Sequence, residues 1–453
     1  MLGRCPEVAF FEVVAEACLV DRTSRREVES LVHRAPVIPH GVKLSLGSAE
    51  GIDNAHLDRI ATLCKQLRAP CFSEHVSFVR SGGTEIGHLT PLPRTRDALA
   101  VITRNVEAAR RRLPDIPLLL ENVANPFFWP GDEMTEAQFY QEVVRRTGCD
   151  LLLDVSNLYA NARNQGLDPL QALAEFPLER VRLAHVAGGK LEGGFYFDTH
   201  AHAITPAIHE LVTRLLQANP AVPLLLERDA NFEGFDLAAE MRALANHGSS
   251  APEVARSVTP TATPTAALPP RIDSPSTGLA NLQSELAQLL TSATTREEIG
   301  GMAAPQSQLA SAIGKHSLQR TRTILERKRV EDALPLLPRL ARVDTVQALA
   351  ERVVRGLPRL PSRNAIRDAF EIARAATGDS ALAPAADLDR LLLRARVHER
   401  SLLPRFGPFV GWLQHGATLY IVVKPVGASS TVHLWSKRIH GRLSPAADSS
   451  LSR

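Results

Sequence analysis

The chain has 453 residues, 44% of them hydrophobic and 22% charged, with a formal net charge of +3. It is longer than one average domain of roughly 100–200 residues and apolar enough for a sizeable core, which excludes collagen-like and wholly disordered classes. The small net charge conceals an asymmetry: residues 1–249 hold 25 Lys+Arg against 32 Asp+Glu, and the remainder 27 against 17. An acidic part therefore precedes a basic one, and a nucleic-acid partner is not indicated.

The opening stretch, MLGRCPEVAFFEVVAEACLVDR, is broken by Glu12 and Glu16, so it is no secretory signal. No run approaches the roughly 20 apolar residues that span a bilayer, which sets the expected compartment as the cytoplasm, without a membrane partner. The five cysteines all precede residue 150 and form no CxxC pair, which argues against a disulfide framework or a thiolate zinc site.

From residue 8 to 229, seven short apolar runs recur: VAFFEVVAE (8–16), PVIPHGVKLSLG (36–47), PCFSEHVSF (70–78), IPLLLENV (116–123), CDLLLDVSNL (149–158), VRLAHVAG (181–188) and VPLLLERD (222–229). Such runs suit strands buried on both faces. Segments of helical period separate them at roughly 54–68, 95–112, 135–147, 168–176, 206–218 and 236–246. Thr135 with Gln138 forms a capping box, and Pro206 suits a first turn. Alternating βα units predict a parallel sheet, an α/β fold of the (β/α)8 TIM-barrel kind, over residues 1–247. Seven strands are countable against eight, so the first would have to precede residue 8. The pairs Gly82–Gly83, Gly188–Gly189 and Gly193–Gly194 are read as mobile loops over the mouth.

Residues 248–278 are rich in Pro, Ser and Thr and read as a linker. Residues 279–453 form a mainly helical, basic C-terminal domain, with helical periods at 279–293, 317–342, 345–357, 363–377 and 386–402 and a closing hairpin over 418–437 around Val426–Ser430. Its Arg-rich faces could dock the acidic barrel, bind an acidic peptide leader, or be solvated surface.

Polar residues cluster at the carboxyl ends of the apolar runs: His40, Glu74 and His75, Glu121 and Asn122, Asp154 and Asn157, His185, and Glu227 with Asp229. Asp198 and His200, in the DTHAH segment, are placed on a loop. Carboxyl ends of barrel strands converge on one mouth. So many carboxylates there would repel in a dry pocket unless cations intervene, and imidazole with oxygen ligands and no thiolate points to iron, manganese or zinc. The number of donors exceeds what one catalytic zinc uses, so two or three ions share them more easily. No G-x-S-x-G elbow and no phosphate-binding glycine loop occurs, and Cys71, within a strand, reads as core.

These stretches resemble a known family, the multinuclear iron barrel proteins typified by the methanobactin-biosynthesis oxidase MbnB and its relative TglH. The resemblance rests on HGVKLSLG (40–47), SEHVSF (73–78), LLLENV (118–123), residues 133–169, HVAGG (185–189), DTHAH (198–202) and LLLERD (224–229), seven motifs in order. It implies an eight-stranded barrel that holds two or three irons and uses O2 to modify a cysteine of a small ribosomally made precursor peptide, with a partner protein that presents the peptide. The ligands it implies are His40, His75, Glu121, Asp154, Asn157, His185, Asp198, His200 and Glu227, with Glu74 and Asp229 as catalytic groups that orient ligands or carry protons. Relatives start with a further Gly-rich strand and read E-V-H-A-E-N where this chain has Glu12, Val13, Val14, Ala15, Glu16 and Ala17. Two other readings use the same residues: a divalent-metal barrel isomerase or phosphodiesterase-like hydrolase, and a non-catalytic module that binds peptide or metal.

Overall fold

The structure, a computed structural model, describes residues 8–20, 22–248, 277–292, 307–360, 363–415, 417–426, 432–438 and 444–445. It divides into two units, Met1–Gly82 with Ile86–Ala287 and Gln308–Ser317, and Gly83–Glu85 with Gln288–Ser307 and Leu318–Arg453.

In chain order the strands of the first unit are β1 (Phe11–Val14), β2 (Val37–Gly41), β3 (Phe72–His75), β4 (Ser77–Ser81), β5 (Thr84–Pro91), β6 (Leu118–Glu121), β7 (Asp150–Asp154), β8 (Val181–Val186), β9 (Gly188–Glu192), β10 (Phe195–His202) and β11 (Leu224–Leu226). Seven make one sheet in the order β1-β2-β3-β6-β7-β8-β11, every pairing parallel. These are the seven apolar runs read from the sequence. Among the described residues β1 and β11 end the sheet, and the further strand expected before residue 8 lies outside them.

The sheet curls into a nearly closed barrel. Phe10, Ile38, Cys71, Leu119, Leu152, Leu183 and Leu225, one from each strand position, pack in a single apolar layer. Strand side chains alternate with period two, so the next inward residue on each strand lies two positions on. Those residues are Glu12, His40, Ser73, Glu121, Asp154, His185 and Glu227. An apolar floor thus carries a polar layer directly above it. Leu118, Leu120, Leu151 and Leu153 face the other way and are buried as well, which is why the runs read as continuous leucine.

Local signals place the surrounding helices. Asp53 caps Asn54–Leu67 by accepting from the backbone N–H groups of Ala55 (2.9 Å) and His56 (3.1 Å). The capping box of Thr135 and Gln138 opens Glu136–Thr147, and Pro206 is the first residue of Pro206–Ala218.

Two features differ from the sequence reading. Gly82–Gly83 and Gly193–Gly194 are the two-residue turns of the hairpins β4–β5 and β9–β10, and Gly188–Gly189 lies within β9, so none is an open loop. Positive φ at all four turn residues (59°, 70°, 58°, 79°) is the backbone that a tight hairpin demands and glycine supplies without strain. The linker lies outside the described residues except at its ends, where Gly248 closes one helix and Thr277 opens the next.

In the second unit, helices Lys315–Ala333, Val346–Arg355, Asn364–Ala376 and Ala383–Arg396 surround a core that includes Val330, Leu340, Val354, Phe370 and Leu393. The helical periods read through 342 and 402 stop earlier, the first because Pro335 and Pro338 cannot continue a helix. The expected hairpin is part of a larger antiparallel sheet, β12 (Phe409–His415), β13 (Thr418–Lys424), β14 (His433–Arg438) and β15 (Ser444–Pro445). Its turn falls mostly outside the described residues. The helix Thr277–Thr291 spans the division, its residues to Ala287 grouping with the barrel, where Gln283 donates to the Gly47 carbonyl (2.7 Å) and accepts from Ala49 N–H (2.9 Å).

Candidate metal centre

Eight of the nine expected ligands meet at the carboxyl ends of the strands. His40, His75 and Glu121 form one group, and Glu121, Asp154, His185 and Glu227 a second. Asp154, Asp198 and His200 form a third, and His200, Glu227 and Asp229 a fourth; within each, one donor atom per residue lies within 4.8 Å of the others. The groups overlap: Glu121 belongs to two, and so do Asp154, His200 and Glu227.

Three of the donors are aimed by a hydrogen bond elsewhere on the same side chain. The His75 Nδ1 lies 3.1 Å from the Gly41 carbonyl. Since a carbonyl only accepts, Nδ1 carries a proton, and Nε2, which faces Glu121 Oε2 at 3.2 Å, is the nitrogen that would meet a cation once its own proton is displaced. His40 Nδ1 sits 2.9 Å from Ser73 Oγ, and its Nε2 is 3.4 Å from the same Glu121 oxygen. Asp154 caps the helix Val155–Asn164 with Oδ1, which accepts from Ser156 N (2.7 Å) and Asn157 N (2.8 Å). Its backbone is clamped both ways by Asn122, whose Nδ2 donates to the Asp154 carbonyl (2.9 Å) and whose Oδ1 accepts from Asp154 N–H (2.8 Å).

Asp198 and His200 come from the hairpin arm β10 rather than from a loop. The pairing of β10 with β9 shifts register between Phe197 and His202, and His200 takes a left-handed backbone (φ 49°). A bulge re-aims side chains, and a non-glycine residue held in this region stores strain of the kind found at functional sites. There His200 Nε2 lies 2.5 Å from Asp198 Oδ2 and 3.5 Å from Asp154 Oδ2, while Nδ1 lies 3.4 Å from Glu227 Oε1.

Asn157 is buried, but its Nδ2 donates to the Asn122 carbonyl (3.0 Å), so Oδ1 is the atom it could offer a cation. Glu74 is committed elsewhere: Oε2 accepts from Leu44 N–H (3.0 Å) and Oε1 from His75 N–H (2.8 Å). It pins the loop after β2 behind His75. Gly41 makes room for it, since a Cβ there would come 2.5 Å from Glu74 Oε2. Asp229 is the exposed member, 3.7 Å from His200 Nδ1.

Two interior residues were not singled out from sequence. Glu12 on β1 places Oε1 2.8 Å from His185 Nε2, and Ser73 holds His40. Both lie two positions beyond a floor residue, which was the available signal. His56 is buried and lies 3.0 Å from Glu16 Oε1. Glu16 also accepts from the backbone N–H of Val42 and Lys43.

The charges are unevenly settled. Burial would raise the Glu121 carboxyl, but His75, His185 and His40 hold it down at about 2. Burial opposes the His75 cation, yet Glu121 and Glu74 lift it to about 9. Asp154 is pushed well above the usual carboxylate range by burial and by Asp198. His185 and His200 are driven upward by the surrounding carboxylates against the effect of burial. Buried atoms without a hydrogen-bond partner include Glu121 Oε2, Asp154 Oδ2, His185 Nδ1, Asp198 Oδ1, His200 Nε2 and Glu227 Oε2. Orphaned acceptors on one inner surface are costly unless something satisfies them. Imidazole and carboxylate donors of this kind suit a divalent transition metal, so the residues fit such an ion.

Among the described residues no cysteine takes part in the cluster; Cys71 is buried in the floor, and burial pushes its thiol up to about 12. No helix among the described residues is long and apolar enough to cross a membrane.

Known proteins resemble this chain in sequence over its barrel part. A "UPF0276 protein" of Streptomyces avermitilis is 41% identical over 249 residues, which cover 53% of this chain and 51% of that protein. One from Caulobacter vibrioides is 34% identical over 238 residues, covering 52% and 85%. The chain thus spans about half the length of the Streptomyces relative. Among solved structures, endonuclease IV from Thermus thermophilus matches with a TM-score of 0.37 and 18% identity over 54% of this chain and 90% of that one. A xylose isomerase domain protein from Planctomyces limnophilus matches with 0.38 and 15% over 54% and 90%. Likenesses this distant say nothing of chemistry. The family described as "RiPP precursor modification enzyme MbnB/TglH/ChrH" matches residues 1–248, the part that builds the barrel and all four donor groups, and the chain belongs to that family.

Proposed function

We propose that the chain is a multinuclear iron enzyme that uses O2 to modify a cysteine of a small ribosomally made precursor peptide, presented by a partner protein. The observation that carries this reading is the sharing of Glu121 and Asp154 between neighbouring donor groups. Carboxylates that bridge adjacent cation positions are what a site for more than one metal requires, and a precursor peptide is the substrate class of the family.

His40, His75 and Glu121 would hold one ion, Glu121, Asp154, His185 and Glu227 a second, and Asp154, Asp198 and His200 a third, with Asn157 Oδ1 as a further donor. Iron bound there would supply one coordination position for a thiolate sulfur and another for dioxygen. The protein's own share is orientation. Gly41 and Ser73 fix the imidazoles of His75 and His40, as hydrogen bonds to the far nitrogen do in metal sites generally. Glu74 keeps the loop after β2 closed behind them. Asp229, exposed beside His200, is placed to exchange a proton with solvent.

Metal analysis of anaerobically purified protein tests the reading, together with O2 uptake on addition of a cysteine-containing peptide. Two or more equivalents of iron, lost in Glu121→Ala, and peptide-dependent uptake are expected. Trace metal that does not change in Glu121→Ala would overturn the metal assignment. Isomerase or hydrolase turnover under nitrogen would replace oxidation with divalent-metal chemistry, and binding without turnover would make the chain a binding module.

A further inference from the structure

The helical unit contains a polar pocket that the barrel chemistry does not use. It lies between the end of helix Thr277–Thr291, helix Lys315–Ala333 and the segment Val354–Arg359, and Arg322, Arg329, Arg355 and Arg359 line it. Two of these are neutralised. Arg329 makes a two-pronged contact with the buried Asp368 (Nε–Oδ2 2.8 Å, Nη2–Oδ1 2.9 Å) and donates to the carbonyls of Val354 and Leu357. Arg355 Nε lies 3.0 Å from Glu326 Oε2.

The other two are not. Arg322 donates through Nε (2.7 Å) and Nη2 to the Leu289 carbonyl, which leaves Nη1 uncommitted, and it makes no ion pair among the described residues. Arg359, half-buried, has neither a hydrogen bond nor an ion pair among them. Asp368 is already shared between two other guanidinium groups, because Arg367 Nε also takes Oδ1 at 2.8 Å. Four guanidinium groups therefore share the pocket with one lining carboxylate, Glu326, while Glu85, Asp368 and Asp332 act on Arg359 from beyond ion-pair distance. A guanidinium stays charged at any physiological pH, so withdrawing one from water without a partner costs free energy. Burial, with Arg329 nearby, pulls Arg359 down to about 10 against the opposing charges of Glu85, Asp368 and Asp332, and burial lowers Arg322 against that of Glu326.

We propose that this pocket is an oxyanion site, in which Arg322 and Arg359 hold a carboxylate or phosphate group. Planar guanidinium groups with free N–H donors match the paired oxygens of either. The proposal does not depend on the metal reading of the barrel.

Calorimetric titration of the full chain at low ionic strength, with inorganic phosphate and separately with glutarate as a mimic of a glutamate side chain, tests it. At least one anion should bind, and Arg359→Gln and Arg322→Gln should each weaken that binding tenfold or more. Arg352→Gln, an exposed residue on helix Val346–Arg355, should leave it unchanged. Binding of glutarate assigns the site to side-chain carboxylates of an acidic peptide, and binding of phosphate alone assigns it to phosphate. Thermal melting gives an independent readout. Removing an unpaired charge should leave the ligand-free Arg359→Gln protein as stable as wild type or more so, while abolishing the anion-induced rise in Tm. Failure of both anions to bind, undiminished binding in both variants, or a lower Tm with an unchanged anion response would overturn the proposal.

Discussion

Glu12 on the first strand of the sheet approaches His185 on the sixth, Oε1 to Nε2 at 2.8 Å, while the other ring nitrogen of His185 faces Glu121 (3.1 Å) and Glu227 (2.9 Å). The imidazole thus spans the barrel interior between one carboxylate and a pair. A carboxylate this close favours the proton on Nε2, although the contact is not an aligned hydrogen bond, and Nδ1 is then the lone pair that meets a cation. Glu12→Gln blurs that choice of tautomer, because an amide donates as readily as it accepts. Loss of such an orienting partner typically weakens metal binding by ~10–100-fold. Competition with a chelator of known affinity is the measurement, and an affinity equal to wild type would remove Glu12 from this role.

The overlap of donor groups predicts unequal losses. Glu121 serves two groups and His40 one. Glu121→Gln should lower the metal content by more than one equivalent per chain, whereas His40→Ala should lower it by at most one. Both variants keep the apolar floor beneath them, so folding can be checked by far-UV circular dichroism before metal is counted. Equal losses would mean that Glu121 does not bridge.

Three donors were legible because each ends a leucine run: Glu121, Asp154 and Glu227 each follow three consecutive leucines, where an unpartnered carboxylate has no bland explanation. Glu12 was not legible by that criterion. Its strand reads FFEVV, and only the curl of the sheet, which brings Phe10 into the same layer as Leu183 and Leu225, shows that residue 12 points inward. Asp198 and His200 were found by type and mislaid by element, since a bulged hairpin arm that follows a glycine turn reads as loop. The pairing of His56 with Glu16 joins residues 40 apart, and no local pattern announces it. In the second unit β12 was missed because its residues alternate between half-buried and exposed, and large apolar side chains such as Trp412 and Val410 fall on the exposed side.

Glu136 predicts a pH dependence of stability. Burial lifts its carboxyl to about 7, against the hydrogen bond it accepts from Asn161 Nδ2 (2.9 Å). The folded chain therefore holds this proton more tightly than the unfolded chain, whose carboxylate titrates near the ordinary 4.5. Below 4.5 both states are protonated and the contribution is fully present; it fades as pH rises and is gone above about 7. Because the side chain is only half-buried, the effect should stay at ~1–2 kcal/mol rather than the full value of the shift. Glu136→Gln should match wild type near pH 4.5 and exceed it in Tm at pH 8. Parallel Tm curves for the two proteins across that range would sink the prediction.

The Arg329–Asp368 pair tests what holds the helical unit together. Asp368 is fully buried and Arg329 nearly so, and the guanidinium also ties down the C-terminal end of helix Val346–Arg355 through the Val354 and Leu357 carbonyls. Removing one partner leaves an uncompensated buried charge, which costs ~3–5 kcal/mol, whereas replacing both with apolar groups of similar size is often neutral. Asp368→Ala should therefore speed amide exchange in Lys315–Ala333 and Asn364–Ala376 by about two orders of magnitude or more, since each 1.4 kcal/mol of lost protection is roughly tenfold. The double variant Arg329→Met with Asp368→Leu should recover most of that protection, losing chiefly what the two carbonyl contacts supplied. Exchange measured by mass spectrometry separates these segments from the barrel. If the double variant exchanges as fast as Asp368→Ala, the pair holds the helices by its hydrogen bonds and not by mutual neutralisation.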